Sequence, residues 1–335
     1  MIVEKYQLPI GKDDSFFPMS PERYAELWPQ YVLRLEDVFL GPNGAIYDKN
    51  FELIPEANYN YTYWNKSVPT PQSPLDSCRE IYLKPERPIP SAIKELPAGP
   101  NYIYAHCYFN IYVYGHLHDN LQDLSKIENL NIKNDVLITP PLTSHVNHLD
   151  HHLTLFGYPK NKRVGLSLGE NSQFLHKVPT LYYPSPTAYP SCVSKAGLGF
   201  LKKKYQKLGR SEPQLSKLYL SRPQNNRSVI NDSGVVRLLK SLGFTILKGD
   251  ESLEKHVGLF RGADLIVGAH GALFKNIIFC ENNPRILEFY AHNRSNQCFL
   301  GIASTAGIKD HHFLEERGDA SHNINLNLSK IKSLI

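Results

Sequence analysis

Cysteine is scarce and scattered in this sequence. Cys78, Cys107, Cys192, Cys280 and Cys298 are the five in 335 residues, and no two of them form a CxxC pair. That spacing speaks against a structural zinc module and against a disulfide framework, and a reducing cytosol suits it best. Tryptophan occurs twice, against 20 tyrosines and 24 prolines. Most of the prolines fall in the N-terminal half, which is therefore expected to be rich in loops. Nowhere is there a run of about 18 apolar residues, and the opening MIVEKYQLPIGKDDSF has no long apolar segment. Neither an integral membrane protein nor a secreted one is expected from that pattern. Charge is not lopsided either. A net charge of +5 suits anionic ligands such as nucleotides but is too small to argue for nucleic acid.

What is present is the composition of an ordinary globular chain, 41% hydrophobic and 21% charged, long enough for one large core or two of moderate size. The clearest pattern runs from residue 217 to residue 290. Leu218–Leu220 reads as a strand, and the polar loop SRPQNNRSV follows it. Next comes a helix with Val235, Leu238, Leu239 and Leu242 on one face, closed by Gly243. Phe244–Leu247 is a second strand. Leu253, Val257 and Phe260 mark a second helix ending near Gly262, and Leu265–Val267 lacks polar alternation, as a strand buried on both faces does. A third helix is expected from Ala272 and a further strand over Arg285–Phe289. This alternation predicts a parallel, Rossmann-like layer.

Before residue 101 the pattern is weak. Beyond it, the aromatic stretch YIYAHCYFNIYVYGH leads into a helical DNLQDLSKI, a strand over Asp135–Thr139, a helix in HLDHHLTLFG and a strand in RVGLSL. The Pro-rich LYYPSPTAYPS, residues 181–191, is the expected linker. It divides the chain into an N-terminal α/β domain, residues 1–195, and a C-terminal Rossmann-like domain, residues 196–335. A cleft between the two domains is where a ligand is expected.

The segment GAHGALFKN, Gly268–Asn276, follows a buried strand and opens a helix. Its small residues let the backbone approach a ligand, and the first N–H groups of the helix suit a diphosphate; a tight strand-to-helix turn without a ligand is the alternative. His270 in that turn can donate to phosphate or to a leaving group. SRPQNNRSVIN emerges at the same carboxyl edge of the predicted sheet, so Arg222 and Arg227 are expected to meet the same anion with forked hydrogen bonds, plain surface charges being the alternative for each. Asn231 is read as the cap of the following helix. Glu288, at the end of RILEF, is expected either to accept from ribose hydroxyls or to pair with a neighbouring arginine. No Asp-x-Asp occurs anywhere in the chain, so the usual carboxylate pair for a metal-bound diphosphate is missing. Arginines and a helix N-terminus are expected to carry the leaving-group charge instead.

In GHLHDNLQDL, His116 and Asp119 lie three apart at the start of a helix. Either can serve as a general base, and helix capping is the alternative for Asp119. HVNHLDHH invites a metal reading, because His148, Asp150 and His151 resemble part of the HxHxDH signature of metallo-β-lactamase-type hydrolases. The first histidine of that signature falls on Val146, however, and a polar helix face is the alternative. Lys202, Lys203, Lys204, Lys207 and Arg210 form a small basic patch. It is either a solvated helix face or a point of peripheral membrane association.

KLYLSR, Arg227, Asn231, LLKSLGF, LFRGADLIVGAHGALFKNIIF and RILEF, in this order and spacing, resemble glycosyltransferase family 61, in its bacterial capsule and lipopolysaccharide type. GHLHDNLQDL resembles the family's N-terminal segment. Here Asp119 follows His116 by three residues where the family has four, and Gln122 and Asp123 stand where the family has Pro-Arg. INLNLSKIKSLI resembles its last strand and helix. The resemblance implies a GT-B architecture, two Rossmann-like domains facing across a cleft. It also implies an inverting, metal-independent transfer, commonly from a UDP-sugar, to a glycan or lipid-linked saccharide acceptor on the cytoplasmic side. The donor set is then Ser221, Arg222, Arg227, His270, Gly271, Ala272, Asn276 and Glu288, with Asp119 or His116 as base and no cofactor beyond the nucleotide sugar. The rival readings are a nucleotide-sugar-binding protein without turnover and a metal-dependent hydrolase built on His148, Asp150 and His151.

Overall fold

In a computed structural model the chain is described over residues 2–8, 30–41, 44–57, 92–105, 117–139, 147–168, 172–187, 193–209, 216–222, 227–292 and 298–335. The described residues form two compact units, one reaching to Leu201 and the other beginning at Lys202.

The first unit contains β1 (Ile2–Gln7), β2 (Tyr31–Leu40), β3 (Ile46–Tyr47), β4 (Ala92–Glu95) and β5 (Asn101–Ile103). It continues with α1 (Leu117–Glu128), β6 (Asp135–Thr139), α2 (Asn147–Leu155), β7 (Arg163–Gly165), β8 (Phe174–Pro184) and the start of α3 (Lys195–Tyr205). Its sheet runs β1-β2-β8-β5-β6-β7, with β3 on β2 and β4 on β8. Strands β5, β6 and β7 are parallel to one another and to β8, whereas β1, β2 and β3 are paired antiparallel, as are β2 and β8. The expected second Rossmann-like layer is therefore a mixed sheet. Val32, Leu33, Leu35, Val38 and Leu40 are all without exposed surface. Each such side chain stabilises the unit by ~1.5–3 kcal/mol through burial.

The expected linker at 181–191 is corrected by β8, which lies between β2 and β5 and takes in residues 181–184. Proline weakens a strand because it has no N–H for the ladder, and β8 carries Pro179. Two local adjustments accommodate it. Opposite Pro179 on β2, Asp37 takes φ +49 and is the one gap in a ladder that pairs Glu36 with Thr180 and Val38 with Val178. On the other edge, β8 pairs with β4 over residues 174–177 and with β5 over 181–182, so Pro179 falls between the two partners.

The second unit contains β9 (Ser216–Leu220), α4 (Asp232–Ser241), β10 (Phe244–Leu247), α5 (Leu253–Arg261) and β11 (Ala263–Ala269). A 3-10 helix (Ala272–Phe279), β12 (Arg285–Ala291), α6 (Cys298–Thr305), β13 (His311–Glu316) and α7 (Leu328–Leu334) follow. All five strands are parallel, in the order β10-β9-β11-β12-β13. Tyr219, Val267, Leu287, Phe289 and Leu314 pack with Val235 and Leu239 of α4 and Ile331 of α7 in one core. The 3-10 helix packs against α5 and α6. The expected third α-helix is the 3-10 form. At three residues per turn, side chains i and i+3 align in rows, and Phe274, Ile277 and Cys280 form one such buried row.

Asn231 precedes α4 but donates no side-chain cap to it. Its amide instead clasps the backbone of Leu326, giving Nδ2–H to the carbonyl at 2.8 Å and accepting the Leu326 N–H at 2.9 Å. In the C-terminal INLNLSKIKSLI, the helix is present and the expected strand is reduced to isolated bridges at Ile324.

Candidate functional site

The second sheet reverses direction between β9 and β11: from β9 the chain goes outward to β10, then returns to the other side of β9 as β11. Ligands of doubly wound sheets lie at such a reversal, outside the carboxyl ends of the two strands. Here the loop Ser221–Arg222 leaves β9 and the turn His270–Gly271 leaves β11. The strands are neighbours, with Leu220 beside Gly268. A side chain at Gly268 would meet the Leu220 Cβ at 2.7 Å and its carbonyl oxygen at 2.8 Å. Glycine is what lets the strand ends close up.

Arg222 crosses from one loop to the other and donates Nη1–H to the His270 carbonyl at 2.8 Å. A Cβ on Gly271 would stand 2.4 Å from that same Nη1, so the guanidinium occupies the room a side chain would need. Gly271 is also the residue from which the 3-10 helix starts, followed by the part-exposed Ala272. The N–H groups of a first helical turn have no partner within the helix. Cationic guanidinium and backbone N–H donors thus come from two loops to one place, an arrangement that suits an anion.

The remaining predicted residues are distributed less uniformly. Ser221 is buried, and its hydroxyl donates to Asp232 at the start of α4, at 3.1 Å. Tyr219 also donates to Asp232, and burial together with that bond pushes the Tyr219 phenol well above its usual range. Arg227 has φ +67, and its backbone N–H is tied to the Ser321 carbonyl. Asn276 has no exposed surface, which takes it out of reach of a donor.

Glu288 departs further from expectation. β12 continues three residues beyond it, so Glu288 lies within the strand instead of at its end, and the side chain is wholly buried. No face is left for a ribose. One carboxylate oxygen accepts from Nδ1 of His270, the other from Nε2 of His311 at 3.0 Å. Burial alone would raise the Glu288 carboxyl, but the bonds and charges of the two imidazoles outweigh it and hold it below the usual carboxylate value. The His270 ring is walled by Tyr290 and Phe299, at centroid distances of 5.1 and 4.9 Å. His311 was missed by the sequence reading. It lies on β13, whose HHFLEE carries neither apolar alternation nor an apolar run.

In the first unit, Asp119 lies in the first turn of α1 and is 4% exposed, and His116 lies outside the described residues. Much of α1 is polar and nevertheless buried. The Gln122 carboxamide accepts from the Ser194 N–H at 3.0 Å, and Asp123 accepts from Thr187 at 2.5 Å and from Lys126 at 2.9 Å. Lys126 also donates to the Ser185 carbonyl. The two residues that replace Pro-Arg therefore moor the chain that follows β8. Burial raises the Asp123 carboxyl against the opposing pull of Lys126 and Thr187.

His148, Asp150 and His151 fall on α2, and Asp150 is engaged by the Arg163 guanidinium at 2.7 Å. Among the described residues no group of three His, Cys, Asp or Glu side chains is placed to hold a metal ion. No helix among them is long and apolar enough to cross a membrane.

Residues 96–287, more than half of the chain, match Glycosyltransferase 61. The protein is a glycosyltransferase, and it belongs to glycosyltransferase family 61. No curated protein matches the chain. Solved structures that resemble it include the E. coli heptosyltransferase WaaC with ADP, at 9% identity and a TM-score of 0.30, covering 70% of this chain and 98% of that one. That likeness is too slight to bear on the site.

Proposed function

We propose that the protein is an inverting, metal-independent glycosyltransferase. In this reading it moves a sugar from a nucleotide donor, a UDP-sugar, to a glycan or lipid-linked saccharide acceptor in cell-surface polysaccharide synthesis of the capsule or lipopolysaccharide type. The single observation that supports the donor site best is the meeting of the β9 and β11 loops at the sheet reversal, with Arg222 held on the His270 carbonyl.

The reaction is a single displacement across a GT-B cleft. Asp119 or His116 takes the proton of the acceptor hydroxyl, and the acceptor oxygen bonds to the anomeric carbon from the face opposite the nucleotide. The bond from that carbon to the β-phosphate oxygen breaks, and its electron pair leaves with the nucleoside diphosphate. Arg222, Arg227, His270 and the N–H groups at Gly271 and Ala272 stabilise the departing anion, a preorganised electrostatic role. General base assistance contributes roughly 10²–10⁴ in rate. The acceptor is met at the cytoplasmic face of the membrane, where the exposed Lys203 and Lys207 favour a peripheral seat on anionic lipid.

The test is release of nucleoside diphosphate from a panel of UDP-, GDP- and ADP-sugars, with and without saccharide acceptors, in the presence and absence of EDTA. Acceptor-dependent release from a UDP-sugar that is unchanged by the chelator supports the reading. Release abolished by EDTA and restored by Mn²⁺ overturns the metal independence, and release from other donors alone overturns the choice of base.

A further inference from the structure

Three titratable side chains lie buried on three neighbouring strands or their ends: His270 just after β11, Glu288 on β12 and His311 on β13. Glu288 has no exposed side-chain surface, and its bonding partners among the described residues are the two imidazoles. A carboxylate in such a place is costly to bury, and replacement of buried ionic groups by apolar side chains is often neutral or stabilising. Stability alone therefore gives little reason for this arrangement.

The hydrogen-bond chemistry fixes which nitrogen does what. An ionised carboxylate only accepts, so both histidines donate to it, His270 through Nδ1 and His311 through Nε2. The remaining nitrogen of His311, Nδ1, is buried and has no partner among the described residues. A proton there would be an unsatisfied buried N–H, so the surroundings satisfy the Nε2–H tautomer of His311. With Nδ1 of His270 committed to Glu288, the far edge of that ring presents Nε2. That ring belongs to the residue whose carbonyl holds Arg222.

We infer that Glu288 and His311 are positioning residues for His270: His311 anchors the Glu288 carboxylate, and the carboxylate fixes the His270 ring so that its Nε2–H is the donor offered to the diphosphate of the leaving nucleotide. This rests on the reading that the β9–β11 crevice receives that diphosphate. A second, ligand-free readout makes the two ideas separable.

The experiment uses the full chain labelled with 15N-histidine, with the His270 and His311 signals among the 14 histidines assigned through His270→Gln and His311→Gln. Long-range 1H–15N spectra are expected to show His270 protonated at Nδ1 and His311 protonated at Nε2 with a bare Nδ1. In parallel, calorimetry with UDP is expected to give at least tenfold weaker binding for Glu288→Gln and His311→Phe. His311→Gln, which returns an N–H near the lost Nε2, is expected to recover most of that loss. Should His311→Phe fail to fold, Glu288→Gln and the spectra still decide. A bare Nδ1 on His270, or unchanged UDP affinity in a folded Glu288→Gln, overturns the inference. Absence of UDP binding by the unaltered protein, with the expected tautomers in place, sinks the donor reading and the diphosphate role with it.

Discussion

The Arg222 guanidinium ties the two loops of the candidate site together, which makes Arg222 the residue on which donor binding is most exposed to test. A hydrogen bond to a charged group contributes roughly 1.5–3 kcal/mol. Arg222→Ala is therefore expected to weaken UDP binding about ten- to a hundredfold, whereas Lys203→Ala, at an exposed position on α3, leaves it unchanged. Calorimetry on both variants checks this, and equal affinities would remove Arg222 from the site. Gly271→Ala probes the same contact from the other side. Its backbone is extended, at φ −173, so the new methyl brings no conformational strain, but it would sit 2.4 Å from Arg222 Nη1 and displace the guanidinium. The expectation is a loss of UDP affinity comparable to that of Arg222→Ala, with a melting temperature close to that of the unaltered protein.

At the scale of elements, the neighbouring glycine behaves differently. The atoms facing Gly268 are the backbone oxygen and Cβ of Leu220 on the adjacent strand, and neither can swing away. Gly268→Ala is expected to cost roughly 1–3 kcal/mol of stability as overpacking, read as a lower urea midpoint for the second unit at constant slope. In the first unit, α1 is held by its buried Asp123–Lys126 pair, whose side chains are 4% and 7% exposed. Removal of one partner leaves an uncompensated buried charge, so Lys126→Met is expected to cost roughly 3–5 kcal/mol in urea unfolding. The double variant Asp123→Leu/Lys126→Met is expected to lose clearly less, and additive losses would show that the pair is not coupled. Elements whose periodicity was strong are those visible in the sequence: β10 and β6 have the expected limits, and α1, α4 and α5 fall where their apolar spacing puts them. β8 was hidden because its prolines read as a break. Nothing local to the sequence showed that Pro179 would lie opposite a strained Asp37 and between two partner strands.

For the whole molecule, acid is expected to act on the two units in different pH ranges. His176 in the first unit is buried, and desolvation followed by the charge of Lys94 hold its imidazole below the ordinary value of 6.5. The unfolded chain then binds the proton more readily, so this stability is complete above pH 6.5 and declines as the pH falls below it. In the second unit Glu288 is held below 4.5, so its share is present above that pH and is lost as the pH falls through its folded value. Thermal melts at pH 7.5, 5.5 and 4.0 are expected to show His176→Leu losing less than the unaltered protein between the first two, at a slope of at most ~1.4 kcal/mol per pH unit. An identical loss in both would exclude His176 as the source. The sequence by itself determined the α/β class, the parallel C-terminal layer and the turns that leave β9 at Ser221–Arg222 and β11 at His270–Gly271, because hydrophobic period and small-residue turns are local properties. The tertiary structure alone decided that Asn231 clasps Leu326, that Gln122 and Asp123 moor a distant segment, and that Glu288 is shared by His270 and His311. Those bonds join residues 18 to 95 positions apart, and pairing at such separations depends on strand order, which no local pattern of residues encodes.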